Sequence, residues 1–86
     1  MPLTLSVDVV ATEVEDGMIL LDQRKGRYWH LNATGALTVQ LLRAGDSPQQ
    51  IAAALAERFP EAADNPLRDV EALLKALQKA RLMVMA

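Results

Sequence analysis

The stretch Lys25-Gly26-Arg27-Tyr28-Trp29-His30-Leu31-Asn32 sets the chain's only tyrosine, tryptophan and histidine side by side. Gly26 is a turn signal and Asn32 a helix-start signal, so Arg27 to Leu31 reads as a short β-strand between them. Outward toward the N-terminus, Gln23-Arg24-Lys25-Gly26 makes a turn and Met18 to Asp22 forms a second strand. That strand is almost wholly apolar, as expected of a central strand covered on both sides. Glu15-Asp16-Gly17 is a tight turn, because Asp-Gly supplies the positive φ a hairpin needs. Leu3 to Val14 alternates, with Leu3, Leu5, Val7, Val9 and Ala11 on one parity, and reads as one half-buried strand. Two short turns in succession predict a three-stranded antiparallel meander whose first and third strands are edges.

Outward in the other direction lie three helices. Asn32 caps the first, Ala33 to Arg43, which Gly45 stops. Ser47-Pro48 restarts the chain with a favoured cap and a favoured first helical residue, and Ile51, Ala52, Leu55, Ala56 and Phe59 give one buried face before Pro60. After a polar connection from Glu61 to Asn65, Pro66 opens a third helix to about Arg81, with Val70, Leu73, Leu74 and Leu77 toward the core. Beside them Asp69, Ala72, Ala76 and Ala80 form a stripe of mostly small residues that lets another backbone come close. Leu82 to Met85 is apolar and too short for a helix, and is expected to pack back on the domain or pair with something. The fold class is α+β, winged-helix-like, in one domain over residues 1–86.

Composition narrows the function. The chain has 86 residues, about half apolar and a quarter charged, with a net charge of −2. It is a globular chain, not a disordered one. Absence of cysteine removes disulfides, thiolate chemistry and cysteine-based zinc sites. No signal peptide and no membrane-length apolar run is visible, which gives a cytoplasmic expectation.

Chemistry has few places to sit. His30 has no second histidine beside it and its nearest carboxylates in sequence are Asp22 and Asp46, so a structural or peptide-contacting role is the better reading than catalysis. Glu13, Glu15 and Asp16 lack the ligand spacing of a calcium loop and read as a solvated turn. The glycines stand alone at 17, 26, 35 and 45, so there is no phosphate cradle. No cofactor, metal or catalytic set is expected. Arg24, Lys25 and Arg27 make a basic hairpin that a winged-helix DNA binder would use, yet the helix after Ser47 carries only Arg58 against Glu57 and the net charge has the wrong sign. Neighbours on a strand point to opposite faces, so Tyr28 and Trp29 cannot share one core. In one register Arg27, Trp29 and Leu31 face the helices and leave Tyr28 and His30 on the other face; in the other register the faces exchange. One large ring stays near the surface beside an open strand edge, which is where an extended peptide binds.

Gly17-Met18-Ile19-Leu20-Leu21-Asp22, Gly26-Arg27-Tyr28-Trp29-His30-Leu31-Asn32, Ala33-Thr34-Gly35-Ala36, Leu41-Leu42, Gly45, the Ile51/Leu55/Phe59 spacing and Asp69-Val70 with Leu73, Leu74 and Leu77 together resemble the PqqD-like proteins. These are recognition elements of ribosomally made, post-translationally modified peptide pathways. The likeness spans nearly the whole chain, and a strand ending in Leu-Asn before a Thr-Gly helix is its most specific part. A chain of this length looks most like the leader-binding half of a split lasso-peptide maturation protein. It departs from the family at Arg81-Leu82, where a glycine is common before the closing apolar residues.

The resemblance implies that the leader of a precursor peptide adds as an antiparallel strand on the third strand and lies against the third helix. Arg27, Tyr28, Trp29, His30 and Leu31 would then supply main-chain bonds. Trp29, Leu31, Leu73 and the Ala72/Ala76 stripe would receive an aromatic residue or proline, and Asp69 a basic one. The implied partners are that leader and a separate leader peptidase or modifying enzyme, with no nucleic acid and no membrane. Competing expectations are a small DNA-binding domain and a self-associating subunit, a weak homodimer through the third strand or the tail.

Overall fold

The computed structural model describes residues 3–61 and 64–85. The elements run β1 (Leu3–Leu5), β2 (Val9–Val14), β3 (Gly17–Asp22), β4 (Arg27–Asn32), α1 (Ala33–Arg43), α2 (Pro48–Arg58), α3 (Pro66–Lys79) and β5 (Met83–Met85). A three-stranded antiparallel sheet in the order β2-β3-β4 leads into the three helices, the α+β architecture expected from the sequence. Residues 62 and 63 of the polar connection before α3 lie outside the described residues.

The stretch from Leu3 to Val14 is two strands, not one. The alternation Leu5, Val7, Val9 continues in number, yet the chain bends between Ser6 and Asp8, and Val7 is 95 % exposed. Ser6 sets the bend: its carbonyl accepts from Val9 N–H at 3.0 Å, and its hydroxyl accepts from Asp8 N–H at 3.4 Å. β1 is thereby freed to pair antiparallel with β5, Leu3 opposite Met85 and Leu5 opposite Met83, in a second small sheet. The tail therefore packs back within its own chain, and that internal pairing uses one of the two surfaces expected for self-association.

β3 alternates buried Met18, Leu20 and Asp22 with half-buried Gly17, Ile19 and Leu21. It is central but covered on one face, where Met18 and Leu20 join the core and α1 packs on the sheet. The expectation of cover on both sides came from its apolar run, and Ile19 and Leu21 instead lie on the outer face. Met18, Leu20, Leu31, Val39, Ile51, Val70, Leu77, Leu82 and Met83 make one buried cluster drawn from the sheets and helices alike.

The helix ends follow local chemistry. Ser47 and Gln50 form a reciprocal capping box on α2, with Pro48 at its first position. At the end of α1, Gly45 N–H donates to Leu42 O and Asp46 N–H to Leu41 O, both at 3.0 Å, with Gly45 at φ +99. That is a Schellman ending, which needs a left-handed residue after the cap. α3 ends the same way, Arg81 N–H donating to Gln78 O at 3.0 Å and Leu82 N–H to Leu77 O at 2.9 Å. Here, however, the left-handed residue is Arg81, at φ 62.

Gly17 permits the close pairing of β3 and β4 at its end of the ladder. A Cβ placed there would lie 1.9 Å from the Leu31 carbonyl oxygen, a main-chain atom that cannot swing away. Gly17→Ala is expected to force the two strands apart and to lower unfolding free energy by about 1–3 kcal/mol in urea denaturation.

Candidate functional site

The ladder fixes what β4 shows to each side. Leu31 lies opposite Met18 and Trp29 opposite Leu20, whereas Tyr28 lies opposite Leu21 and His30 opposite Ile19. Leu31 is buried and Trp29 half-buried against the core, while Tyr28 is 72 % exposed on the outer face. The strand's two ends are pinned. At the start, the Asp22 carboxylate accepts from Arg24 N–H at 3.0 Å and Lys25 N–H at 3.4 Å, and Gly26, at φ +64, donates its N–H to Asp22 O at 2.8 Å. At the finish, Asn32 Oδ1 accepts from Gly35 N–H at 3.0 Å and from the Thr34 hydroxyl at 2.8 Å, capping α1.

β4 is an edge: β3 holds one side of it and no strand among the described residues holds the other. It packs on β3 and α1, whereas α3 packs on α2, α1 and β5. The open edge and α3 face one another across two clefts, each lined from both elements. The first cleft, about 400 Å³, lies between the end of β4 and the first half of α3, with Leu31, Phe59, Val70 and Leu73 as apolar walls and His30 and Asp69 at the lining. Asn32, Thr34, Gly35 and Thr38 bring the start of α1 to the same cleft. The second, about 410 Å³, lies between the start of β4 and the end of α3. Arg27, Trp29 and Ala76 line it together with Lys25, Lys79 and Arg81.

Of the residues expected to form a peptide site, His30, Leu31, Asp69 and Leu73 meet in the first cleft and Arg27, Trp29 and Ala76 in the second. Tyr28 and Ala72 line neither cleft; Tyr28 projects from the outer face, and Ala72 is exposed on α3. The carboxylate that meets His30 is neither Asp22 nor Asp46 but Asp16, which the β2–β3 hairpin brings to 3.8 Å of Nε2. Both side chains are more than half exposed, so the pair contributes little. Glu13 accepts a hydrogen bond from the Gln40 side chain, and so leaves the acidic turn it belonged to in sequence. Among the described residues, no group of three or more His, Cys, Asp or Glu gathers closely enough to hold a metal ion.

Several lining residues escaped the sequence reading. Phe59 and Pro66 were read only as a core residue and a helix start, and each belongs to the first cleft because α2 ends and α3 begins beside β4. Lys25 was weighed only as part of a basic hairpin. Lys79 and Arg81 carried a usable signal, since Lys79 stands three residues past Ala76 on the same helix face.

An α+β meander with three helices and an open strand edge facing the last of them defines the PqqD-like recognition domain. Residues 17–83 match the family model described as coenzyme PQQ synthesis protein D (PqqD), and the chain belongs to that family. Among solved structures it is similar to "Lasso peptide synthetase B1 complexed with the leader peptide", at 33 % identity and a TM-score of 0.88 over 99 % of this chain and 100 % of that one. It is also similar to "TbiB1 in Complex with the TbiA(beta) Leader Peptide", at 30 % identity and a TM-score of 0.80 over 100 % of this chain and 98 % of that one. No curated protein matches the chain at a comparable level of significance.

Because Asn32 both ends the exposed edge and caps α1, Asn32→Ala is expected to cost about 1 kcal/mol of stability by chemical denaturation. Asn32→Ser, which keeps a capping oxygen, should recover most of it.

Proposed function

We propose that this chain is a non-catalytic binding protein for the leader of a ribosomally synthesised, modified precursor peptide, of the lasso class, and that it presents the bound peptide to a separate peptidase or modifying enzyme. The open edge of β4 facing α3 carries the proposal. Unpaired main-chain N–H and C=O groups on an edge strand pair with an added extended segment whatever its side chains. The two similar solved structures are leader-peptide complexes, and this chain is superimposable on them over nearly its whole length.

The leader adds antiparallel to β4. Its alternate side chains turn inward, toward Leu31, Leu73 and Phe59 in the first cleft and toward Trp29 and Ala76 in the second. An aromatic residue or proline suits the first cleft, where apolar walls remove it from water and Asp69 stands at the lining for a hydroxyl or a cation. No bond is made or broken on this chain. Its contribution is tethering: a captured leader holds the attached core peptide at an effective concentration of roughly millimolar near a co-bound enzyme. Capture also covers the strand edge, which unpaired is open to aggregation.

Fluorescence polarisation with a labelled synthetic leader, taken from the precursor encoded beside this chain, tests the proposal. Wild-type protein is expected to saturate. Trp29→Ala and Ala76→Trp, the first removing a wall of the groove and the second filling it, are each expected to weaken binding at least tenfold with circular dichroism unchanged. Unaltered affinity in both folded variants would refute the groove.

A further inference from the structure

We propose that the second cleft is a carboxylate subsite that selects leaders with acidic residues in the half nearer their C-terminus. This rests on strand addition to β4 and adds the chemistry and direction of the segment recognised.

Four cations converge there. Lys25 comes from the β3–β4 turn, Arg27 from β4 itself, and Lys79 and Arg81 from the end of α3. They are four of the chain's nine Lys and Arg, in a protein of net charge −2, and the cleft lining includes no carboxylate. The ion pairs found among the described residues, Arg24 with Asp8 and His30 with Asp16, use none of them. The nearest acid in the ladder, Asp22 opposite Arg27, is buried and spends an oxygen on the turn's own N–H groups. Lys79 alone would be ordinary, since a cation in a helix's last turn complements the helix dipole. That explanation does not reach Lys25 and Arg27, which come from the sheet side of the groove.

Arg81 adds a second observation. It occupies the left-handed position of a Schellman ending, where glycine carries no steric penalty and Gly45 stands at the end of α1. The fold therefore tolerates a strained residue where a better one exists, and the side chain so placed lines the cleft.

The strand fixes the direction. β4 runs from Arg27 to Asn32, so an antiparallel guest enters at the apolar first cleft and leaves past Arg27. A guest residue opposite Arg27 follows the one opposite Leu31 by four positions, and side chains on the groove face recur every second position. The recognised pattern is an apolar or proline anchor, with acidic residues about four and six positions later, before the core peptide begins. Half-buried Trp29 lines the cleft beside the cations, which are themselves exposed, so their attraction for a carboxylate is screened by salt.

The test uses the same labelled leader with the positions four and six past its anchor, located by alanine scanning, set to Glu-Glu, Gln-Gln or Lys-Lys. Wild-type protein at about 50 mM salt is expected to bind the Glu-Glu peptide roughly tenfold more tightly than the Lys-Lys peptide, with Gln-Gln between, the contrast shrinking at higher salt. In Lys79→Gln/Arg81→Gly the ratio should fall toward unity while thermal stability holds or rises, because glycine relieves the left-handed strain. Equal binding of the three peptides by wild type would overturn the subsite and leave strand addition standing. Failure of every peptide to bind a folded protein would overturn both. A 20-base-pair duplex that competes with the leader and binds with a steep salt dependence would assign the cations to phosphate and overturn the subsite likewise.

Discussion

Everything in this fold depends on a strand that is held firmly on one side and left open on the other. β4 gains its order from the β3 ladder, from the Asp22 turn before it and from the Asn32 cap after it. None of those contacts uses its outer main-chain groups. An edge strand that relied on a partner for its shape would lose it when the partner left, and its exposed groups would become an unselective template. Here the rigidity comes from within the chain, so the open edge persists as a defined surface.

The helices answer the same constraint. α1 follows β4 with no intervening loop and packs on β3 and β4, which commits the inner face of the sheet to the core. α3 is left to lie across from the edge, anchored from behind by Val70, Leu74 and Leu77 and from its end by β5. The small sheet of β1 and β5 thus does more than tidy two termini. By tying Met83–Met85 to Leu3–Leu5 it anchors the chain just past the Schellman ending of α3, beside Lys79 and Arg81.

Much of this was readable from residues. The β3–β4 turn at Gly26, all three helices and the caps at Asn32, Ser47 and Gly45 follow from local chemistry, whereas Gly17 does not take the positive φ expected of it and is required by its approach to the Leu31 carbonyl. What local chemistry could not convey was pairing between distant segments. Nothing in Leu3–Leu5 says that it meets Met83–Met85 rather than continuing into β2, since the polar and apolar parities run unbroken through Val7 and the bend is made by a serine instead of a glycine or proline. The same limit applied to the site. The strand and the helix that form it were each recognisable, and seven of nine expected residues line its clefts. Arg81 and Phe59 joined them through tertiary placement, and Tyr28, expected for its main-chain groups, turns its ring outward as the strand's alternation requires.

For the proposed strand addition, the energetics explain why clefts beside the edge are needed. Ordering one residue of a flexible peptide costs about 1–2 kcal/mol, and a main-chain hydrogen bond returns a net of only about 0.5–1.5 kcal/mol. Along a strand as short as β4 those terms nearly cancel, so strand addition alone would leave a leader unbound. A fully buried apolar side chain contributes about 1.5–3 kcal/mol more, which an apolar cleft walled by Leu31, Phe59 and Leu73 can supply. On the proposed reading, the ladder sets direction and register, the apolar cleft supplies most of the affinity, and the charged end discriminates between leaders. Because those contributions come from different parts of the groove, selectivity can change through side chains such as Lys79 and Arg81 without disturbing the strand that aligns the peptide.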